Sequence, residues 1–180
     1  TNPGSTLSLV DGNTKGLEIN RLRPMDIPFQ NGAIHGDITI PASASIGGHE
    51  KAGRGWPMLL EALSVGRSIS LPSVSTSGCK YTSFVTGAFA TIREQFGLSV
   101  GKFGGVEEKL AAMASDAYSA DATRTTLARM VDQGKKPSIA SAIAKYHATE
   151  KLRNSVDNGM DVHSGKSVIK GPGNMLANLY

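Results

Sequence analysis

A proline at position 72 falls inside the longest helical pattern of this chain. Between Trp56 and Gly97, the residues Tyr81, Phe84, Val85, Ala88, Phe89, Ile92 and Phe96 recur at steps of three and four, which places them on one helix face. Proline inside a helix removes a backbone hydrogen bond and costs about 3 kcal/mol. The segment therefore kinks near Pro72 or is two helices. Pro57 is different, because in a first turn its absent N–H costs nothing. Gly97 suits a left-handed helix stop.

Two further helices follow. Val106, Leu110, Met113, Ala117, Ala120, Leu127 and Val131 make the inward stripe of a helix from about Val106 to Gln133, stopped by Gly134. Arg124 falls in that stripe, so it must be paired; an acid on the last helix, Asp157 or Asp161, is the expected partner. Pro137-Ser138 opens the last helix, with Ile139, Ile143, His147, Leu152, Val156 and Met160 expected to face inward.

The first 46 residues read as sheet. Leu7 and Leu9 alternate with Thr6 and Ser8, Leu17 and Ile19 start a second strand, and Ile34, Ile38 and Ile40 alternate as a third. Asp11-Gly12-Asn13 and Gln30-Asn31-Gly32 are turn signals. Such strands need a partner surface to be stable, so they look like the end of a larger β-domain. Gly47–Gly55 is a glycine-rich crossover. The expected class is thus α+β, mainly α: a short antiparallel β-segment and then an up-and-down helical bundle. The domains are 1–46, a crossover at 47–55, and 56–180, with the helical domain unfinished at its end.

Composition excludes several functions. The hydrophobic content of 39% with 19% charged residues is that of a globular chain. The single cysteine, Cys79, rules out an internal disulfide and favours a reducing compartment. No apolar run reaches the roughly 18 residues of a membrane span. The net charge of +4 comes from the helical part. Its basic residues are dispersed, which argues against a nucleic-acid groove. His35, His49, His147 and His163 lack zinc spacing and read as core or surface residues. Gly165-Lys166-Ser167 lacks the earlier glycine of a P-loop. Ser77-x-x-Lys80 has no Lys-Thr-Gly partner.

Five stretches in order carry a resemblance: Ile46-Gly47-Gly48 with Gly53-x-Gly55-Trp56-x-Met58-Leu59; Leu63-Ser64-x-Gly66-Arg67-x-Ile69-Ser70-Leu71-Pro72; Arg93-x-x-Phe96-Gly97; Asp161-x-His163-x-Gly165; and Gly171-Pro172-x-Asn174. Together they resemble the acyl-CoA dehydrogenases, in particular their large bacterial long-chain branch. The resemblance implies a fragment of a flavoprotein that oxidises long-chain fatty acyl-CoA to trans-2-enoyl-CoA in fatty-acid β-oxidation. It implies FAD as cofactor, an electron-transfer flavoprotein as acceptor and a homo-oligomer. The implied location is cytoplasmic or peripheral to the inner membrane. A related acyl-CoA oxidase, or a helical interaction module without chemistry, are the alternatives.

The same resemblance assigns residues. Arg93 and Phe96 match an Arg and Phe that reach the FAD of a neighbouring subunit, although an arginine at a helix C-terminus also suits the helix dipole with no further role. Asp161 and Gly165 match flavin contacts in a turn where the family usually has Gly-Gly-x-Gly. Here Ser164 and Ser167 replace two of the glycines. Arg67 matches an arginine of the acyl-CoA channel; a structural pairing with Glu61 or a later acid is the other reading. Removing an α-proton needs a positioned carboxylate. The position before Arg67 holds Gly66, and in the branch resembled the glutamate is expected beyond Tyr180. Glu61 sits about 240° round a straight helix from Arg67. The chain alone is therefore expected to be inactive.

Overall fold

The computed structural model describes residues 4–22, 31–176 and 179. It divides into two compact units, Thr1–Glu61 and Ala62–Tyr180. The first unit holds β1 (Leu17–Ile19) and β2 (Ile34–Gly36), paired antiparallel with Glu18 opposite His35. The backbone bonds Asn20 N–H to Ala33 O and Leu22 N–H to Asn31 O continue this ladder toward the expected Asn31-Gly32 turn. Pro24 and Pro28 lie outside the described residues. The strand expected around Leu7 and Leu9 shrinks to one bridge, Ser8 to Ser45, and Leu9 is exposed. A two-residue alternation offers too little apolar surface to hold a strand against a small sheet.

The helix α1 (Gly55–Ser68) starts in the first unit and ends in the second. It is followed by α2 (Ser70–Ile92), so the long pattern is two helices and the break falls at Ile69. Pro72 explains the place. It cannot donate to Ser68 O, and its ring would meet that carbonyl, so the chain parts before the proline rather than at it. Pro72 then sits in the first turn of α2, where no donor is missing. Ser68 Oγ donates to Ser64 O and is 2.5 Å from Ser141 Oγ.

The helices α3 (Gly104–Asp132) and α4 (Ser138–His163) complete a bundle in which α2, α3 and α4 pack on one another. Ion pairs Lys109–Asp161 and Lys151–Asp116 show α3 and α4 running antiparallel. Gly78 beside Leu152 and Gly159 beside Thr82 and Thr86 show α2 and α4 running parallel, as an up-and-down order requires. Gly134, with φ 74°, stops α3 as expected.

The stripe of α3 holds: Met113, Ala117, Ala120 and Leu127 are buried. Arg124 is paired, but with Asp121 on its own helix, at 2.7 Å, rather than with Asp157 or Asp161. A neighbour three residues away reaches it with less side-chain ordering than a residue on α4. Asp121 also takes Lys80 of α2, and these two cations hold its carboxyl below the usual carboxylate range.

The faces of α2 and α4 differ from expectation in part, since Val85 and Val156 are buried as expected. On α2 the buried residues are small: Ser75, Thr76, Gly78, Cys79, Thr82, Val85, Thr86 and Ala90. Phe84 is 75% and Ile92 79% exposed. Phe84 is two residues from both Thr82 and Thr86, about 200° round the axis from each. On α4 Ser141, Ala144, Ala148, Ser155, Val156 and Gly159 are buried, while Ile139, Ile143 and His147 are exposed. The reason is helix spacing. A Cβ on Gly159 would lie 2.9 Å from Thr82 Cγ2, and one on Gly78 2.5 Å from Leu152 Cδ1. At that closeness only small side chains fit, and the bulky ones are turned outward.

Candidate functional site

At one end of the bundle α2 gives way to a tight hairpin, β3 (Glu94–Gln95) and β4 (Leu98–Ser99). Its two-residue turn is Phe96-Gly97, with φ 54° and 78°. Two positive φ values are the signature of a type I′ turn, which matches the twist of a short hairpin. Gly97 therefore serves the hairpin and does not stop the helix; Arg93 caps it, its N–H donating to Phe89 O. Phenylalanine adopts positive φ only against steric cost. The turn thus holds the Phe96 ring out, 94% exposed, edge-on to Phe103 at 6.3 Å.

The same end of the bundle receives the end of α4. A 3-10 turn, Ser164–Val168, follows His163 directly. Ser164 has φ 54° and ψ −135°, a conformation that favours glycine. The resemblance implies glycine here, and the backbone takes a conformation that favours glycine with a serine in place. Beyond it, Asn174 pins the glycine-rich loop. Its side-chain amide donates to Ser167 O and Ile169 O and its Oδ1 accepts from Leu176 N–H. That gives the Gly171-Pro172-x-Asn174 stretch a structural role.

Between these two turns lies a cleft of about 480 Å³. Arg93, Phe96, Asp161 and Gly165, all named from sequence, line it. Arg93 is exposed and has no acidic partner among the described residues. Asp161 is held by Lys109 of α3 at 2.8 Å. Arg67 is exposed on α1 and does not line this cleft.

Sequence reading missed three contributors. His163 stacks on Phe89, centroids 4.3 Å apart and 18° from coplanar. Lys166 stands over the other ring partner, its Nζ 5.7 Å from the Phe89 centroid. Burial, and then the Lys166 charge, hold the His163 imidazole below its ordinary pKa. His163 stood in the Asp161-x-His163-x-Gly165 stretch without a role of its own, and Phe89 was visible only as a member of an apolar stripe. Among the described residues no group of His, Cys, Asp and Glu is arranged to hold a metal. An unpaired guanidinium, a lysine, exposed aromatic faces and two turns with open backbone suit a flat ligand bearing phosphate.

Comparison with known proteins bears on what that ligand is. Residues 53–180 match the family model for the acyl-CoA dehydrogenase C-terminal domain. The chain belongs to the acyl-CoA dehydrogenase family. It is 49% identical to Protein HemX of Proteus mirabilis over 89 residues, 48% of this chain and 52% of that protein. It is 27% identical over 159 residues to the short/branched chain specific mitochondrial acyl-CoA dehydrogenase of Bos taurus, 82% of this chain and 34% of that one. A solved structure of PigA with FAD and proline superposes with a TM-score of 0.83 at 20% identity, covering 97% of this chain and 45% of that one. The fold is thus that of the family's helical domain, and the chain spans about half or less of the length of these relatives. Among the described residues no helix is long and apolar enough to cross a membrane.

Proposed function

We propose that the cleft holds FAD, and that the chain is part of a flavin-dependent dehydrogenase of long-chain fatty acyl-CoA acting in β-oxidation. The observation that carries this reading is the convergence of Arg93, Phe96, Asp161 and Gly165, from two distant parts of the chain, on one cleft. On this reading residues 1–46 end a β-domain, 47–55 cross over and 56–180 form the helical domain.

The residues fit the cofactor. Arg93 offers a forked, unpaired donor for the diphosphate. Phe96 and Phe103 offer apolar ring surface. The turn at Ser164-Gly165 offers backbone without a bulky side chain. Bound FAD supplies a hydride acceptor. The chain's own part is to hold and orient it and to keep Asp161 engaged with Lys109 rather than facing the anion. Arg67, on α1, is assigned to the acyl-CoA side. An electron-transfer flavoprotein is the matching acceptor, and assembly as a homo-oligomer suits the exposed Phe84 and Ile92.

FAD titration followed by flavin fluorescence tests the reading. In the complete parent protein Arg93→Ala should lose roughly 10- to 100-fold in affinity, the equivalent of about 1.5–3 kcal/mol for a charge-assisted contact, and should weaken FAD retention more than folding. Unchanged affinity would reduce Arg93 to a helix cap.

A further inference from the structure

His163 closes α4 and lines the cleft, yet its polarity is unmatched. Nε2 is sealed from solvent and has no hydrogen-bond partner among the described residues. One face of the ring is taken by Phe89. The charges around it come from each element that meets at this end. Arg93 stands at the end of α2, Lys166 on the turn after α4, and Asp161 on α4 itself, bound by Lys109 of α3. The hairpin and the α3 side add Phe96, Phe103 and Val106 to the lining, none of them charged. Positive charge is therefore in surplus, and the carboxylate that lines the cleft, Asp161, is already paired with Lys109.

We propose that His163 takes up a proton when a diphosphate-bearing nucleotide fills the cleft, so that cofactor uptake is coupled to pH. The proposal rests on the reading of the cleft as a flavin-nucleotide site. The diphosphate brings two negative charges into a cationic pocket. It offsets the positive surplus that adds to burial in holding the imidazole neutral, and it brings negative charge into the cleft that His163 lines. Burial and Lys166 already depress proton affinity in the free protein, which leaves room for it to rise.

Linkage makes the effect reciprocal: whatever factor the nucleotide adds to proton affinity, the proton adds to nucleotide affinity. Each unit of pKa gained is tenfold in binding. The gain is absent well above the bound-state pKa. It grows as pH falls through that value and is complete below the free-state pKa.

The test is a histidine NMR titration of ring-labelled protein, without ligand, with saturating FAD, and with riboflavin, which lacks the phosphates. FAD is the suitable probe because its diphosphate, esterified at both ends, does not titrate near neutrality. The His163 signal is assigned from His163→Gln. Should that variant not fold, substitution of His35, His49 and His147 assigns it by elimination. With FAD the His163 midpoint should rise by at least one unit, and with riboflavin it should stay. Calorimetry should show wild-type FAD affinity rising about tenfold per unit gained across that window, and a flat profile for His163→Gln. FAD binding with an unmoved His163 midpoint, or with the same pH profile in the variant, overturns the coupling while leaving the nucleotide site standing. Failure of FAD to bind at any pH overturns the site and the coupling with it.

Discussion

Gly159→Ala is the sharpest test of how the bundle is held. The added Cβ would lie 2.9 Å from Thr82 Cγ2, 3.1 Å from Thr86 Oγ1 and 3.2 Å from Leu176 Cδ1. All three of those residues are fully buried, so the methyl meets packed side chains on three sides. Overpacking of this kind costs about 1–3 kcal/mol. Alanine recovers up to about 1 kcal/mol of helix propensity over glycine. The net expectation is a loss of roughly 1 kcal/mol. Gly87 on α2 provides the control, because a Cβ there meets nothing within 4 Å. Gly87→Ala should gain about 0.5–1 kcal/mol from the same propensity term. Urea denaturation of both variants separates them, since the midpoints should move in opposite directions at constant slope. A Gly159→Ala protein as stable as wild type would falsify the close approach of α2 and α4. Gly159 is four residues before His163, so forcing α4 away should also loosen the Phe89–His163 stack, read as a change in the His163 ring shifts.

Three further outcomes are expected. Ser164→Gly should stabilise the chain by about 1 kcal/mol in the same assay, because serine holds a backbone conformation there that glycine adopts freely. Stability should fall as pH drops below the ordinary histidine value of 6.5, because the unfolded chain then binds a proton that His163 refuses when folded; His163→Phe should flatten that limb of the pH–stability curve. Given FAD, a long-chain acyl-CoA and an artificial electron acceptor, the 180-residue chain should show no turnover; turnover abolished by Glu61→Gln would make Glu61 the base and sink the assignment of Gly66 to the empty position.

Legibility from sequence differed from helix to helix, for a physical reason. On α3 the inward residues include Met113 and Leu127, whose hydrophobicity marks the face. On α2 the inward residues are Ser75, Cys79, Thr82 and Thr86, and hydrophobic periodicity passes over them to the aromatic side. The same inversion put Ile139 and Ile143 inward on α4, where Ser141 and Ala144 are the buried positions. Pro72 announced a break but not its place, which is set by the carbonyl four residues upstream. Arg93, Phe96, Asp161 and Gly165 were found through a pattern of short motifs. His163 and Phe89, some 70 residues apart in the chain, become neighbours only once α2 and α4 lie side by side.

The α2–α4 seam has a consequence for how this sequence can drift. Where a missing Cβ is already filled by side chains of the facing helix, a position can shrink but cannot grow. A randomised library should return glycine almost exclusively at 78 and 159, and glycine, alanine, serine or threonine at 82, 86 and 155, whatever their polarity. One at 84 and 92 is free of that steric veto, and its survivors would be chosen by whatever those outward side chains meet in the assembled protein. Size, and not hydrophobicity, is the quantity that this seam constrains.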